Sequence, residues 1–147
     1  EFPSLLWSEK QSEMWAQFTD LVDRHSDQRR DLGALFNNEP MQQVKVALLK
    51  IDSVLWWHMH PYVEMFTVGT GKALFRLFNP ESDLIEHYLI VPGKRLVIPA
   101  NIPHDAFIHA DTFLVGATQR PYIDPKTNDI PVTLPVFSDI EKALVNV

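Results

Sequence analysis

Two histidines one residue apart, His58 and His60, are the most chemically suggestive feature of this sequence. On an extended strand, residues two apart project to the same face. Two imidazoles therefore point side by side into one space, and neutral imidazole is a common ligand for zinc, copper, iron and nickel. Glu64 follows four residues after His60, beyond Pro61, a residue that ends or turns a strand. Its carboxylate can return to the same space as an oxygen ligand. His104 comes forty residues later, after a proline-bounded turn at 99–103 and at the start of a new apolar run. One histidine in a strand is readily explained as a packed or hydrogen-bonded ring. Two with a nearby glutamate are harder to explain by packing, because burying them without a partner ion carries a large desolvation cost. Three nitrogens and one oxygen leave open positions on an octahedral ion, as in a reactive site rather than a closed structural one.

Short runs rich in β-branched and aromatic residues surround these positions, at 44–51, 54–60, 63–68, 73–78, 84–91, 96–98, 106–109 and 112–117. Turn residues bound them: Gly69 and Gly71, the 79–83 stretch, and Pro92 with Gly93. Eight short strands with tight turns imply an antiparallel sandwich or barrel, an all-β fold. Before them, residues 8–25 read as a helix. Ser8 and Gln11 form a capping box, and Met14, Trp15, Phe18, Leu21 and Val22 recur at helical spacing. After them, residues 119–147 are rich in Pro and Asp and read as an extended tail over the barrel. That tail ends in a short helix capped by Ser138 and Glu141. No repeat or linker interrupts the chain, so 1–147 is expected to be one domain with its barrel core at 44–118.

The 147 residues suit a single core. The net charge of -6 argues against nucleic-acid binding, and no apolar run is long enough to span a bilayer. There are no cysteines, which excludes disulfides and thiolate chemistry and fits a reducing, cytoplasmic location. Glu1, Phe2 and Pro3 show no signal-peptide pattern.

The sequence resembles the cupin family. The first cupin motif, an HxH pair, a Glu and then a Gly, reads here as His58, His60, Glu64 and Gly71. The second, a Gly, a Pro and then a His, reads as Gly93, Pro99 and His104, and both spacings are intact. The resemblance covers roughly residues 44–118. It implies a double-stranded β-helix, the cupin jelly-roll barrel, flanked here by the short N- and C-terminal helices. It also implies one divalent ion (Zn, Mn, Fe, Ni or Co) on His58, His60, Glu64 and His104. Three motif positions differ: Asp52 and Asn101 stand where the family has Gly, and Ile108 where it has Asn. Asn101 still tolerates left-handed backbone geometry and is a candidate for contacting substrate.

By residue count Trp56 shares the parity of His58 and could stack on a ring-shaped substrate, or be a plain core aromatic. Tyr62 and His87 are the candidate catalytic acid–base groups. His109 has the opposite parity to His104 and should face away from the ion. Arg76 and Lys72 alternate with Ala73, Phe75 and Leu77, so both charges are expected in solvent. Three functions fit a small-molecule cupin: an isomerase or epimerase acting on a sugar or related hydroxy-carbonyl compound, an Fe(II) dioxygenase, or a non-catalytic binding protein. A diffuse similarity to cupin domains of sugar-nucleotide epimerases, at Gly71 to Arg76, Glu86 to Tyr88 and 122–129, favours the first. A homodimer is compatible with the sequence.

Overall fold

The computed structural model describes residues 15–146. The strands are β1 (Gln17–Asp20), β2 (Val22–Ser26), β3 (Asp31–Ala34), β4 (Gln43–Leu48), β5 (Ser53–Met59) and β6 (Glu64–Thr70). They continue as β7 (Ala73–Asn79), β8 (Leu84–Ile90), β9 (Lys94–Ile98), β10 (His104–Ile108), β11 (Phe113–Thr118) and β12 (Ile130–Pro131). Two five-stranded sheets, ordered β1-β9-β6-β11-β4 and β12-β5-β10-β7-β8, face each other; β2 and β3 form a separate ribbon. Every pairing is antiparallel.

Alternation of side chains along each strand builds the core. Ala73, Phe75 and Leu77 of β7 meet Ala106 and Ile108 of β10, Leu96 and Ile98 of β9, and Val68 between the sheets. On the outer face of the first sheet, Val63, Met65, Val97 and Ala117 are covered by Leu35, Phe36 and Met41. The turn between β6 and β7 depends on Gly71. Its φ is +83°, and a Cβ there would lie 2.2 Å from Thr112 Oγ1, a distance no side chain tolerates.

The helix expected at 8–25 is not formed by its described part. Residues 17–20 and 22–26 are strands, while Ser8, Gln11 and Met14 lie outside the described residues. The open edge of β9 offers a ladder that a lone amphipathic turn cannot match: Gln17 to Asp20 pair with Val97 to Lys94. Asp23, with φ of 50°, then breaks any helical continuation. Trp15 and Phe18, which gave the helical spacing, instead pack on the barrel beside Tyr88.

The C-terminal region is the expected tail with its capped final helix, α2 (Asp139–Ala143), where Ser138 and Glu141 form a capping box. It also contains an unanticipated helical turn, α1 (Pro125–Asn128), capped by Asp124 with Pro125 in its first turn. The tail buries the outer face of the second sheet: Phe137 and Val145 pack on Leu74 and Phe107. This corrects the expectation that Arg76 is solvated. Alternation does turn Arg76 away from the core, but the tail covers that face, and Arg76 is 1% exposed.

Candidate metal centre

His58 and His104 stand opposite each other where β5 pairs with β10. Between that pair and the next, Ala106 opposite Leu55, β5 carries one extra residue. This bulge resets the side-chain phase. Leu55 faces the core, and so do His58 and His60 beyond the bulge, although simple counting separates Leu55 from the histidines. Trp56 sits at the bulge, 67% exposed, at the wall of the cavity described below. It is thus neither a core aromatic nor a strand neighbour of His58.

The four sequence-derived ligands converge. One nitrogen or oxygen from each of His58, His60, Glu64 and His104 lies within 4.8 Å of all the others. Glu64 Oε1 is 3.2 Å from His60 Nε2 and 3.1 Å from His104 Nε2. All three atoms are buried with no hydrogen-bond partner among the described residues. Leaving one buried polar atom unsatisfied costs about 1–3 kcal/mol, and three that converge make a set that a shared cation would satisfy. The nitrogens on the far side of two rings are fixed. His58 Nδ1 lies 2.6 Å from the Trp56 carbonyl and His104 Nδ1 2.9 Å from the Ile102 carbonyl. A carbonyl only accepts, so each Nδ1 carries a proton, which leaves Nε2 as the ring atom that turns a lone pair inward once any proton on it is lost.

Burial pushes the His60 imidazole down to about 4. Burial and the neighbouring His104 lower His58 as well. Both rings are therefore neutral at physiological pH, the form that binds metal. His104 behaves differently: burial works to lower it, but the Glu64 carboxylate beside it raises it overall. Burial likewise works to raise Glu64, and the imidazoles around it bring it below the usual range. The residues present fit a divalent transition metal.

Above them opens a cavity of about 870 Å³ between β4 and β5. His58, Glu64 and His104 form part of its lining, with Lys45, Trp56, Phe66, Leu114, Tyr122 and Asp129 among the walls. Tyr62 is elsewhere. It is buried, stacks on His60 at 4.5 Å, and its hydroxyl accepts a hydrogen bond from Asn128 Nδ2. Burial pushes its pKa up to about 12, so it packs and orients the His60 ring. His87 lies opposite Arg76 on the outer face, with Nε2 2.6 Å from Glu141 Oε2, which removes it as a base for this cavity. Asn101 occupies a left-handed turn position at φ 62°, where its amide N–H donates to the His60 carbonyl. It is exposed and helps hold the end of β5 rather than lining the cavity. His109 Nδ1 pairs with the Ala110 carbonyl, away from the centre.

Residue-by-residue reading missed Tyr122 and Asp129. Tyr122 Oη donates to Asp129 Oδ2 at 3.0 Å, and Lys45 Nζ lies 4.8 Å over the Tyr122 ring. The one available signal was the Asp124-Pro125 step, a helix-start pattern that fixes where Asp129 falls.

No protein-family model matches this chain. No curated protein matches it either. Solved structures do. One is ChmJ, a 3'-monoepimerase from Streptomyces bikiniensis in complex with dTDP-quinovose. It is 16% identical with a TM-score of 0.69, over 87% of this chain and 81% of that one. A second is QdtA, a sugar 3,4-ketoisomerase from Thermoanaerobacterium thermosaccharolyticum in complex with TDP. It is 13% identical with a TM-score of 0.65, over 89% and 94% of the two chains. A third is a dTDP sugar isomerase from Desulfovibrio desulfuricans, 14% identical with a TM-score of 0.66, over 80% and 83%. The fold is the antiparallel cupin jelly roll. Among the described residues no helix is long and apolar enough to cross a membrane.

Proposed function

We propose that this chain is a metal-binding cupin that isomerises or epimerises a sugar or related hydroxy-carbonyl compound. The observation that carries the reading is the convergence of three partnerless buried atoms, His60 Nε2, Glu64 Oε1 and His104 Nε2, beside a substrate-sized cavity. The sugar assignment draws support from the structural neighbours, which act on dTDP-linked sugars. His58, His60, Glu64 and His104 would hold one divalent ion, Zn, Mn, Fe, Ni or Co. Such an ion acts as a Lewis acid that polarises a carbonyl and acidifies the neighbouring C–H. The chain's own residues do the rest. The Trp56 and Ile102 carbonyls hold two imidazoles in register. Phe66 and Leu114 keep the inner wall apolar, and Trp56 offers a ring face at the rim.

The test is incorporation of solvent deuterium into a panel of ketoses and keto-sugar nucleotides, beside an oxygen-electrode assay with Fe(II)-loaded protein. Metal-dependent exchange without oxygen uptake is the expected result. Oxygen uptake without exchange would establish a dioxygenase instead. Silence in both, with a ligand retained in the barrel, would establish a binding protein.

Metal affinity is expected to fall as the pH is lowered. His60 and His58 are already neutral and have no proton to surrender, whereas the raised His104 beside Glu64 does. Protons therefore compete mainly at that pair, and the number released on binding should grow as the pH is lowered. Isothermal titration in two buffers of different ionisation enthalpy counts them. Proton release that does not change with pH would refute the assignment.

A further inference from the structure

We infer that Asp129 is the proton-accepting carboxylate of the cavity, taking hydrogen from a substrate held beside His58, Glu64 and His104. The inference rests on the metal-binding isomerase reading and supplies the base that reading lacks, since Tyr62 is packed and bonded behind His60 and His87 is on the outer face.

Asp129 is fixed from both sides. On its N-terminal side it caps α1, its amide N–H donating to the Pro125 carbonyl at 2.9 Å. The preceding Asn128 is locked: its Oδ1 accepts from the Ile123 and Asp124 amides, and its Nδ2 donates to Tyr62 Oη and the Pro121 carbonyl. On its C-terminal side Ile130 and Pro131 pair with Met59 and His58. Continuing that antiparallel register by one residue sets Asp129 opposite His60. Directly opposed residues project to the same face, so the carboxylate shares the side of the sheet that carries the ligands. Its two oxygens differ. Oδ2 accepts from Tyr122 Oη at 3.0 Å, which fixes the rotation of the group. Oδ1 is buried with no hydrogen-bond partner among the described residues, and Asp129 lines the cavity. A preorganised acceptor with one empty lone-pair direction beside a cavity is what a substrate hydrogen requires.

The step balances without any co-reactant. The C–H bond beside the substrate carbonyl breaks, and its proton forms a bond to Asp129 Oδ1. The C–H electron pair becomes a C=C bond while the carbonyl π pair moves onto oxygen. Delivery of a solvent proton to the opposite face of the same carbon gives the epimer, and Asp129 then releases its own proton to solvent. Delivery of the Asp129 proton to the former carbonyl carbon, while the neighbouring hydroxyl proton passes to the former carbonyl oxygen, gives the shifted ketone.

The experiment uses Co(II)-loaded protein and two probes read by visible absorption. Acetohydroxamate is planar like the double-bonded intermediate and carries a hydrogen donor; azide carries none. In Asp129→Asn the amide oxygen keeps the Tyr122 bond and turns its NH₂ to the cavity, replacing an acceptor by a donor. The variant is expected to bind acetohydroxamate at least about tenfold more weakly, with azide affinity and cobalt content unchanged. Equal acetohydroxamate affinity in both proteins would overturn the assignment. So would loss of both probes, which would make Asp129 part of the metal centre's scaffold. Failure of the unaltered chain to take up cobalt would sink the metal reading itself, a result distinct from either of these.

Discussion

Replacing Arg76 by methionine is expected to destabilise the chain by about 3–5 kcal/mol, the usual cost of removing one partner of a buried ion pair. Arg76 Nε and Nη2 grip both oxygens of Asp105, Nη1 reaches both oxygens of Glu141, and Nη2 also donates to the Pro135 carbonyl. The Phe137 ring lies 3.7 Å from the guanidinium carbon and the Trp57 ring 4.9 Å. Without Arg76, Asp105 loses the guanidinium that grips both its oxygens, and burial has already pushed its carboxyl up to about 6. Lysine should rescue little, because an ammonium cannot form the planar fork that spans both carboxylates. The midpoint of urea unfolding measures this, and a loss under about 1 kcal/mol would contradict the role given to the cluster. The same cluster sets an acid limit. Burial works to raise Glu141, but its bonds to the Ser138 amide, His87 and Arg76 bring it down to about 2, from the ordinary 4.5. A carboxylate with a depressed folded pKa contributes stability above its unfolded value and loses it as pH falls through the folded one. Docking of α2 should therefore weaken between about pH 4.5 and 2.

Alanine at His60 or His104 is expected to weaken metal binding by about 100-fold or more, since losing even a ligand's outer partner costs 10–100-fold. Each ring donates one of the convergent Nε2 atoms, and each is almost wholly buried. Among the described residues the cluster contains just these four groups, so either variant leaves three. The loss also appears in folding. An ion at a thousandfold its Kd stabilises the native state by about 4 kcal/mol. Thermal unfolding of the unaltered chain should shift upward on adding metal, and the variants should not respond. A variant that keeps the full shift would remove that histidine from the ligand set.

The barrel strands were legible because alternation and turn residues agree from β4 to β11. The convergence of the candidate ligands was legible because HxH geometry and both cupin motif spacings agree at His58, His60, Glu64 and His104. What escaped was set by non-local contacts. The β5 bulge makes counting from His58 mislead at Leu55, since an extra residue leaves no mark in composition. Alternation placed Arg76 on the outer face but could not say that Pro135, Phe137 and Glu141 would cover it. Asp129 comes to the cavity wall beside the pairing of Ile130 with Met59, a meeting of residues 71 apart that no local pattern encodes. The strands at 17–26 formed for a similar reason, the edge of β9 outweighing a helical spacing.

The Arg76 cluster also dictates an order of assembly while the chain is being made. Asp105 follows Arg76 by 29 residues and Glu141 by 65. At a synthesis rate of about 5–20 residues per second, the second counter-charge emerges from the ribosome roughly 3–13 s after the arginine. During that interval Leu74 and Phe107 have no Phe137 or Val145 to cover them, and the Trp57 indole has no Pro135 carbonyl to bond. The nascent barrel thus presents an apolar face with a cation at its middle until residues 135–145 arrive.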